Sequence, residues 1–225
     1  MDGDDEAVGR VLTRREALAR IGAAALAAAP FAGARGAACV ATPAQAEGPF
    51  FLDTRIERAD LRGDPTGGAP PRAGLPLSLD LGVRRIDGGG CAPLPGAIVD
   101  LWHCDAAGVY SGTRGGERFL RGYQKTDADG RVRFVTIYPG WYAGRAVHIH
   151  VKVRSGAREL TSQFYFDDAL TDRVFARAPY ASRGRPDVRN AADFLYRDGG
   201  RALMLSPTER DGTLAATFDL ALATS

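Results

Sequence analysis

Short runs of β-branched and aromatic residues, separated by Gly, Pro and Asp, recur through most of this chain of 225 residues. Alternating apolar and polar positions are typical of half-buried strands, and turn residues between them are typical of hairpins. The pattern predicts an all-β fold, an antiparallel β-sandwich with long loops and a few short helices. Strands are predicted at residues 76–86, 97–103, 131–138, 147–154, 159–167 and 215–222, with short helices or turns at 172–177 and 188–196.

The strand predicted at residues 147–154 carries two of the three histidines of the chain, in the sequence A-V-H-I-H-V-K-V. Because side chains alternate along a strand, His148 and His150 share one face and lie about 6.5 Å apart at the backbone. Two imidazoles at this spacing can bind one cation. The ordinary alternative for the same pattern is a solvated strand face, which Lys152 would continue.

Two tyrosines lie in turn-rich segments next to predicted strands. Tyr142 follows Pro139 and Gly140 and enters the histidine strand from a loop, whereas Tyr110 follows the strand predicted at 97–103. Two phenolates with two imidazoles form an anionic oxygen and nitrogen donor set, which suits Fe(III) better than Zn. A free phenol ionises near pH 10, so phenolate ligation requires the charge of the metal to expel the proton.

Five segments of the chain, in the same order, resemble the intradiol ring-cleavage dioxygenases, a family of non-heme Fe(III) enzymes that includes protocatechuate and catechol dioxygenases. The resemblance extends from residue 42 to about residue 220. It implies an enzyme that uses O2 to cleave a catechol-type ring to a muconate-type dicarboxylate. The segments are T-P-A-Q-A-E-G-P-F-F at 42–51, P-L-P-G-A-I-V-D-L-W-H-C-D-A-A-G-V-Y-S-G at 93–112, F-L-R-G-Y-Q-K-T-D-A-D-G-R-V-R-F at 119–134, Y-A-G-R-A-V-H-I-H at 142–150 and T-S-Q-F-Y-F at 161–166.

The resemblance also implies the iron ligands. Tyr110 and Tyr142 match the two tyrosinate ligands, and His148 and His150 match the two histidine ligands. In the family, the second tyrosinate leaves the iron when the catechol binds and helps to take up the substrate protons. That role would fall to Tyr142.

Two further residues receive roles from the same resemblance. Arg145 would stabilise the negative charge that develops on the ring, and Gln163 matches a glutamine near the iron site. Tyr142 and Arg145 are three positions apart, closer than in the protocatechuate and catechol dioxygenases that the chain resembles. Tyr138 is therefore the substitute ligand if Tyr142 does not reach the metal.

Two other functional classes remain open from the sequence. A β-sandwich binding module without catalytic activity would share the fold. A Zn-dependent hydrolase would use the histidine pair together with a carboxylate such as Asp105 or Asp127. The third histidine, His103, matches no ligand position and is interpreted as structural.

The N-terminal residues 1–38 differ from the rest of the chain. Thr13, Arg14 and Arg15 precede a short Ala-rich apolar run at 21–29, which is typical of a twin-arginine export signal. The domain at 39–225 would then be periplasmic or extracellular. An amphipathic or disordered N-terminus is the alternative, and Cys39 in G-A-A-C offers a lipid-anchor site. The apolar run is shorter than the roughly 20 residues of a spanning helix.

The net charge and the positions of the arginines limit the kinds of molecule that the protein can bind. The chain has 29 basic and 27 acidic residues, a net charge of +2, which argues against a nucleic-acid or anionic-membrane surface. The Arg-rich stretch at 173–197 is expected to be a solvated face, and secondarily a site for an anionic substrate. Arg114, Arg118 and Arg121 are candidate partners for the carboxylate of protocatechuate. Catechol, hydroxyquinol and chlorinated catechols are also compatible with the sequence as substrates. The sequence does not distinguish a homo-oligomer from a hetero-oligomer.

The state of the cysteines depends on the cellular compartment in which the protein folds. Cys91 and Cys104 flank one predicted strand, and in an exported protein they could form a disulfide. The same separation is compatible with two unpaired buried thiols.

Overall fold

The fold is known from a computed structural model that describes residues 39–67, 70–87, 90–113 and 115–223. The export signal predicted at 1–38 lies outside the described residues, and so does Arg114. The strands of the described residues are β1 Pro76–Asp87, β2 Gly90–Pro93, β3 Ile98–Trp102, β4 Arg121–Lys125, β5 Arg131–Ile137, β6 His148–Ser155, β7 Arg158–Phe166, β8 Met204–Leu205, β9 Thr208–Arg210 and β10 Thr213–Ala223.

The strands form two five-stranded sheets, which confirms the predicted all-β sandwich. One sheet has the order β2-β1-β10-β9, with β5 also paired to β1, and the other has the order β4-β3-β6-β7-β8. The predicted strands appear within two residues of their predicted ends. The strands β2, β4, β8 and β9 were not predicted, because they are short and lack a long alternating run.

The two sheets are mixed, whereas the sequence pattern indicated antiparallel pairing throughout. β1 pairs in parallel with β10 from Leu77 and Leu214 to Ile86 and Ala223, and β7 pairs in parallel with β8. An alternating apolar pattern is the same in both kinds of sheet, so the sequence carries no signal for strand direction. The helical connection between β7 and β8 allows the chain to return in the parallel direction at that pair.

The hydrophobic core lies between the two sheets. On β6 the residues Ile149, Val151 and Val153 are fully buried and join this core, as alternation predicts. His148 and His150, on the other face of β6, are 2% and 1% exposed. The histidine face is therefore covered as well, which rules out the solvated strand face.

Helices connect β7 to β8. Helix α1, Asp168–Phe175, starts directly after β7, where the side chain of Asp167 caps the amides of Ala169 and Leu170. Helix α2 is a single turn, Phe194–Arg197, which Asp193 caps in the same way. Three 3₁₀ turns complete the connection, at Tyr180–Arg183, Asn190–Ala192 and Gly200–Leu203. No helix among the described residues has both the length and the apolar character that crossing a membrane requires.

The disulfide joins Cys39 to Cys91, with the Cα atoms 5.3 Å apart. Pairing of Cys91 with Cys104 was therefore wrong, because Cys91 lies on edge strand β2 of one sheet and Cys104 follows β3 of the other. Cys104 is a buried free thiol whose pKa is raised to about 12 by burial. The sulfur of Cys39, the candidate lipid-anchor site, is held in the disulfide.

His103 is a buried structural histidine. Its ring nitrogens lie 2.8 Å from the Cys104 carbonyl oxygen and 2.6 Å from the Thr136 hydroxyl. Burial lowers the pKa of His103 to about 4, so the ring is neutral at pH 7. The side chain links the end of β3 to β5 across the sandwich.

The disulfide can be tested by thiol labelling. We expect the denatured, unreduced protein to take up one equivalent of an alkylating reagent, at Cys104, and the reduced protein to take up three. Peptide mass mapping should recover the Cys39–Cys91 crosslink, and the Cys104→Ser variant should take up no reagent until reduced. A crosslink that includes Cys104 would contradict the structure.

His103 predicts how stability changes with pH. In the unfolded chain this histidine takes up a proton near pH 6.5, whereas the folded protein resists protonation until about pH 4. The unfolded state therefore binds more protons between these values, and stability falls as the pH falls. We expect the loss of unfolding free energy between pH 7 and pH 5 to be smaller by about 2 kcal/mol in His103→Gln than in the parent protein. Urea titrations of both proteins at pH 7 and pH 5 measure the unfolding free energies. An equal loss in the parent and the variant would contradict the prediction.

Candidate metal centre

The structure brings together the four predicted ligand residues. The Nε2 atoms of His148 and His150 are 3.1 Å apart, and the hydroxyl of Tyr142 lies 3.3 Å from Nε2 of His148. The ring centroid of Tyr110 lies 5.6 Å from that of Tyr142 and 6.2 Å from that of His150. Two phenols and two imidazoles from three segments of the chain thus surround one point.

Two glycines make this convergence possible, because they let the two tyrosine loops touch through their backbones. The amide of Gly140 donates to the carbonyl of Asp105 at 3.1 Å. A Cβ at Gly140 would lie 2.2 Å from that oxygen, and a Cβ at Gly108 would lie 2.1 Å from the Trp141 carbonyl oxygen. The two loops therefore pack more closely than side chains permit, which brings Tyr110 next to Tyr142.

Burial keeps both histidines neutral. The pKa of His148 is lowered to about 3, first by burial and then by the nearby charge of Arg145. The pKa of His150 is lowered well below its usual value by burial and by His148. His148 Nδ1 lies 2.7 Å from the Ala146 carbonyl, so it donates there and directs the Nε2 lone pair towards His150 and Tyr142.

Burial has the opposite effect on the tyrosines. It raises the pKa of Tyr110 well above 10 and raises that of Tyr142 as well. The Tyr110 hydroxyl is buried and has no hydrogen-bond partner among the described residues, which is costly for a polar group. A cation at this point would stabilise the phenolate forms and accept the imidazole lone pairs. The donor set therefore fits a hard, trivalent metal ion such as Fe(III).

Arg145 is a buried cation at the edge of the centre, held by a fully buried carboxylate. Its Nε donates to Asp193 at 2.8 Å, and one terminal nitrogen donates to Gln163 at 2.6 Å. Asp193 also accepts from the amide of Ala146 at 2.8 Å. Gln163 faces His150 across the β6–β7 pair. Sequence reasoning missed Asp193, although an Asp before the helical run F-L-Y-R was a recognisable helix-cap signal.

Residues 42–51, which we call the strap, cover the histidine face of β6. Gly48 lies against His150, so that a Cβ there would be 3.4 Å from its ring. The ring of Phe50 stacks on Tyr110 with a centroid distance of 4.2 Å. The ammonium of Lys152, a buried residue, pairs with Glu47 of the strap and with Glu159. The strap explains why the histidine face is buried.

A cavity of about 350 Å³ opens beside the two tyrosines. A site for a small molecule needs such access, and a monocyclic aromatic compound is smaller than this volume. The described lining carries no charged side chain. It consists of Phe50, Gly108, Val109, Tyr110, Thr113 and Tyr142.

The residues named for the substitute tyrosine ligand and for a zinc site do not join the four predicted ligand residues. The Tyr138 hydroxyl is buried 2.7 Å from the Thr171 hydroxyl, in the core between the sheets, so Tyr138 could not replace Tyr142, which itself reaches the histidines. Asp105 and Asp127 accept hydrogen bonds from backbone amides of their own turns. Within the described ranges, no group of three or more His, Cys, Asp or Glu residues could hold a metal ion. The Zn-hydrolase hypothesis therefore lacks a third ligand.

The described arginines that were candidates for binding a substrate carboxylate donate hydrogen bonds to carbonyl groups of the protein itself. Arg121 is 2% exposed and donates to the Ser111 and Phe50 carbonyls. Arg118 donates to the carbonyls of its own turn. In the Arg-rich stretch, Arg177 and Arg189 form ion pairs with Glu209 and Asp172. These contacts agree with the expectation of a solvated face for that stretch.

Comparison with known proteins agrees with this geometry. A family model described as Dioxygenase matches residues 47–206. Catechol 1,2-dioxygenase 1 of Acinetobacter lwoffii is 31% identical over 179 residues, which cover 59% of this chain and 57% of that protein. The protocatechuate 3,4-dioxygenase beta chain of Burkholderia cepacia is 32% identical over 158 residues, 62% of this chain and 61% of that one. The chain thus spans somewhat more than half of the length of these two relatives.

Solved structures give the same result. An intradiol ring-cleavage dioxygenase from Tetranychus urticae superposes with a TM-score of 0.73 at 28% identity, covering 81% of this chain and 94% of that one. The dioxygenase domain of a dioxygenase–carbohydrate-binding fusion from Streptomyces sp. SirexAA-E gives 0.63 at 33% identity, covering 83% and 100%. The chain belongs to the intradiol ring-cleavage dioxygenase family.

Asp193 can be tested through stability. We expect Asp193→Asn to lower the free energy of unfolding by about 3–5 kcal/mol, because the substitution leaves the buried Arg145 charge without its carboxylate. Urea denaturation measures the change. Asp198→Asn, at an exposed position just after α2, is the matched control and should change stability by less than about 0.5 kcal/mol. Equal midpoints for the two variants would show that Asp193 does not balance a buried charge.

Proposed function

We propose that the protein is an Fe(III)-dependent intradiol dioxygenase that uses O2 to cleave a catechol-type ring to a muconate-type dicarboxylate. The observation that carries the proposal is the convergence of two phenols and two neutral imidazoles on one point, with the Tyr110 hydroxyl buried and without a hydrogen-bond partner in the described part of the chain. Fe(III), held by Tyr110, Tyr142, His148 and His150, would supply the electron withdrawal that makes a bound catecholate reactive towards O2.

Tyr142 is the better placed of the two tyrosines to take up a substrate proton. Both tyrosines line the open cavity, but Tyr142 is half-buried, whereas Tyr110 is 3% exposed and stacks on Phe50. Burial raises the pKa of Tyr142, so its phenolate holds a proton firmly once it accepts one. Tyr110 is then the ligand that stays in place.

Arg145 supplies positive charge beside the reacting ring. Its contacts with Asp193 and Gln163 fix the guanidinium before the substrate arrives, so little reorganisation is needed when negative charge develops. Gln163 is in turn held by the strap, because its amide nitrogen donates to the Ala46 carbonyl at 2.8 Å. The strap thus contributes to the position of Arg145 as well as to the exclusion of water.

The cavity favours a catechol without an anionic substituent. Its described lining is uncharged, and the nearby cations Arg121 and Arg145 donate to protein oxygens. A carboxylate on the ring would enter this lining without a partner, which is unfavourable. We therefore propose catechol or an apolar substituted catechol as the substrate rather than protocatechuate.

We also propose that residues 1–38 direct export of the domain. The Cys39–Cys91 disulfide supports this, because disulfides persist in oxidising compartments such as the periplasm and the cell exterior. An enzyme with an iron centre suits export in the folded state, which a twin-arginine signal provides.

The proposed function is tested by metal analysis and visible spectroscopy of the purified protein. We expect about one iron per chain and a visible tyrosinate-to-iron band that moves when catechol is added without oxygen. Tyr110→Phe should weaken or remove the band, whereas Tyr123→Phe, at a hydroxyl that contacts Glu57 on the surface, should leave it unchanged.

Turnover completes the test. With oxygen admitted, the parent protein should convert catechol to a dicarboxylate and should convert protocatechuate at least tenfold more slowly. A protein that remains colourless and free of iron after incubation with Fe(III) would contradict the dioxygenase proposal and favour a binding module.

A further inference from the structure

A second cavity, of about 440 Å³, is lined by the first part of the loop whose later part carries Tyr110. Asp105, Ala106 and Ala107 form this wall, and two arginines line the same cavity, Arg72 and Arg183. The proposed dioxygenase reaction uses neither arginine. Two cations at one cavity are unusual unless an anion or a carboxylate balances them.

Both arginines are held by aromatic rings. The guanidinium carbon of Arg72 lies 3.6 Å from the ring centroid of Phe119, and that of Arg183 lies 4.4 Å from the ring centroid of Trp141. Arg183 Nε also donates to the Trp141 carbonyl at 3.2 Å. Stacking covers a face of each guanidinium and leaves the N–H groups at its edge for hydrogen bonds.

The side chains that line the cavity offer more hydrogen-bond donors than acceptors. Asp105 is the one carboxylate in the described lining, and its Oδ2 lies 3.9 Å from Arg72, beyond hydrogen-bond distance. Its Oδ1 accepts from the amides of Ala107 and Val109. No described residue accepts a hydrogen bond from the Arg72 side chain. The two arginines and Asp105 together carry a net charge of +1.

We propose that this cavity binds a small oxyanion, of the carboxylate or phosphate type, between Arg72 and Arg183. Planar guanidinium groups bind such oxygens in pairs, which favours carboxylate and phosphate over a spherical anion such as chloride. An organic dicarboxylate would use both arginines. The existence of the site does not depend on the proposed reaction, but its occupation by a muconate-type product rests on that function.

The position of the cavity connects it to the metal centre. Asp105 accepts the amide hydrogen of Gly140, and its loop continues to Tyr110. Arg183 contacts Trp141, the residue before Tyr142. An anion bound here would therefore contact groups attached to both tyrosine loops. A product of the reaction bound at this cavity would contact both loops without occupying the iron site.

The test is calorimetric titration of the iron-loaded, full-length protein with cis,cis-muconate, inorganic phosphate or chloride at constant ionic strength, with the visible spectrum recorded in parallel. We expect muconate or phosphate to bind with an unshifted visible band, and chloride not to bind. Arg72→Gln and Arg183→Gln, examined separately, should each raise the Kd at least tenfold. Arg185→Gln, at an exposed arginine outside the cavity lining, should leave the Kd unchanged.

The outcomes distinguish an organic from an inorganic anion, and they test the anion site separately from the dioxygenase function. Tighter binding of muconate identifies an organic dicarboxylate site, and tighter binding of phosphate identifies an inorganic anion site. Absence of binding, or binding that both arginine variants retain, overturns the site. Binding that shifts the visible band would place the anion at the iron instead. A protein that binds the anion but does not cleave catechols would contradict the proposed function alone.

Discussion

The candidate centre depends on the close approach of two loops that belong to different strands. The loop after β3 carries Tyr110, the loop before β6 carries Tyr142, and they touch where Gly140 meets Asp105 and Gly108 meets Trp141. A side chain at either glycine would collide with a backbone oxygen, which moves less easily than a side chain. Donor atoms must converge on one metal ion within a few tenths of an ångström. Separation of the loops would therefore remove one of the two phenols from the donor set.

Burial at the candidate centre has opposite effects on its two kinds of candidate ligand. It makes the histidines neutral, which is the form that binds a metal, but it also keeps the tyrosines protonated, which is the form that does not. The phenols thus depend on a strong positive charge, and a trivalent ion provides more of it than a divalent one. Arg145 adds to this potential and would also repel the ion, but Asp193 balances its charge within hydrogen-bond distance.

The sequence predicted what local patterns determine. Alternation along β6 identified the shared face of His148 and His150, and turn residues identified the loops that carry Tyr110 and Tyr142. The missed features join residues far apart in the chain, such as Arg145 with Asp193, 48 positions away, and Gln163 with Ala46, 117 positions away. The parallel β1–β10 pair and the Cys39–Cys91 bond are of the same kind. Local periodicity carries no signal for such pairings, because it fixes which face a side chain occupies and not what covers that face.

The strap shows how a sandwich that buries its apolar faces can also bury a polar one. The histidine face of β6 lies outside the core between the sheets, and a strand face in that position is normally solvated. The strap begins with mutual hydrogen bonds between Thr42 and Ala221 on β10, and Gln45 donates to Thr161 on β7. It therefore contacts both sheets before it reaches Gly48 and Phe50 over the centre. The disulfide adds a covalent link between the chain just before the strap and β2. A crosslink that persists in oxidising surroundings thus holds the cover of the candidate site, as the proposed export requires.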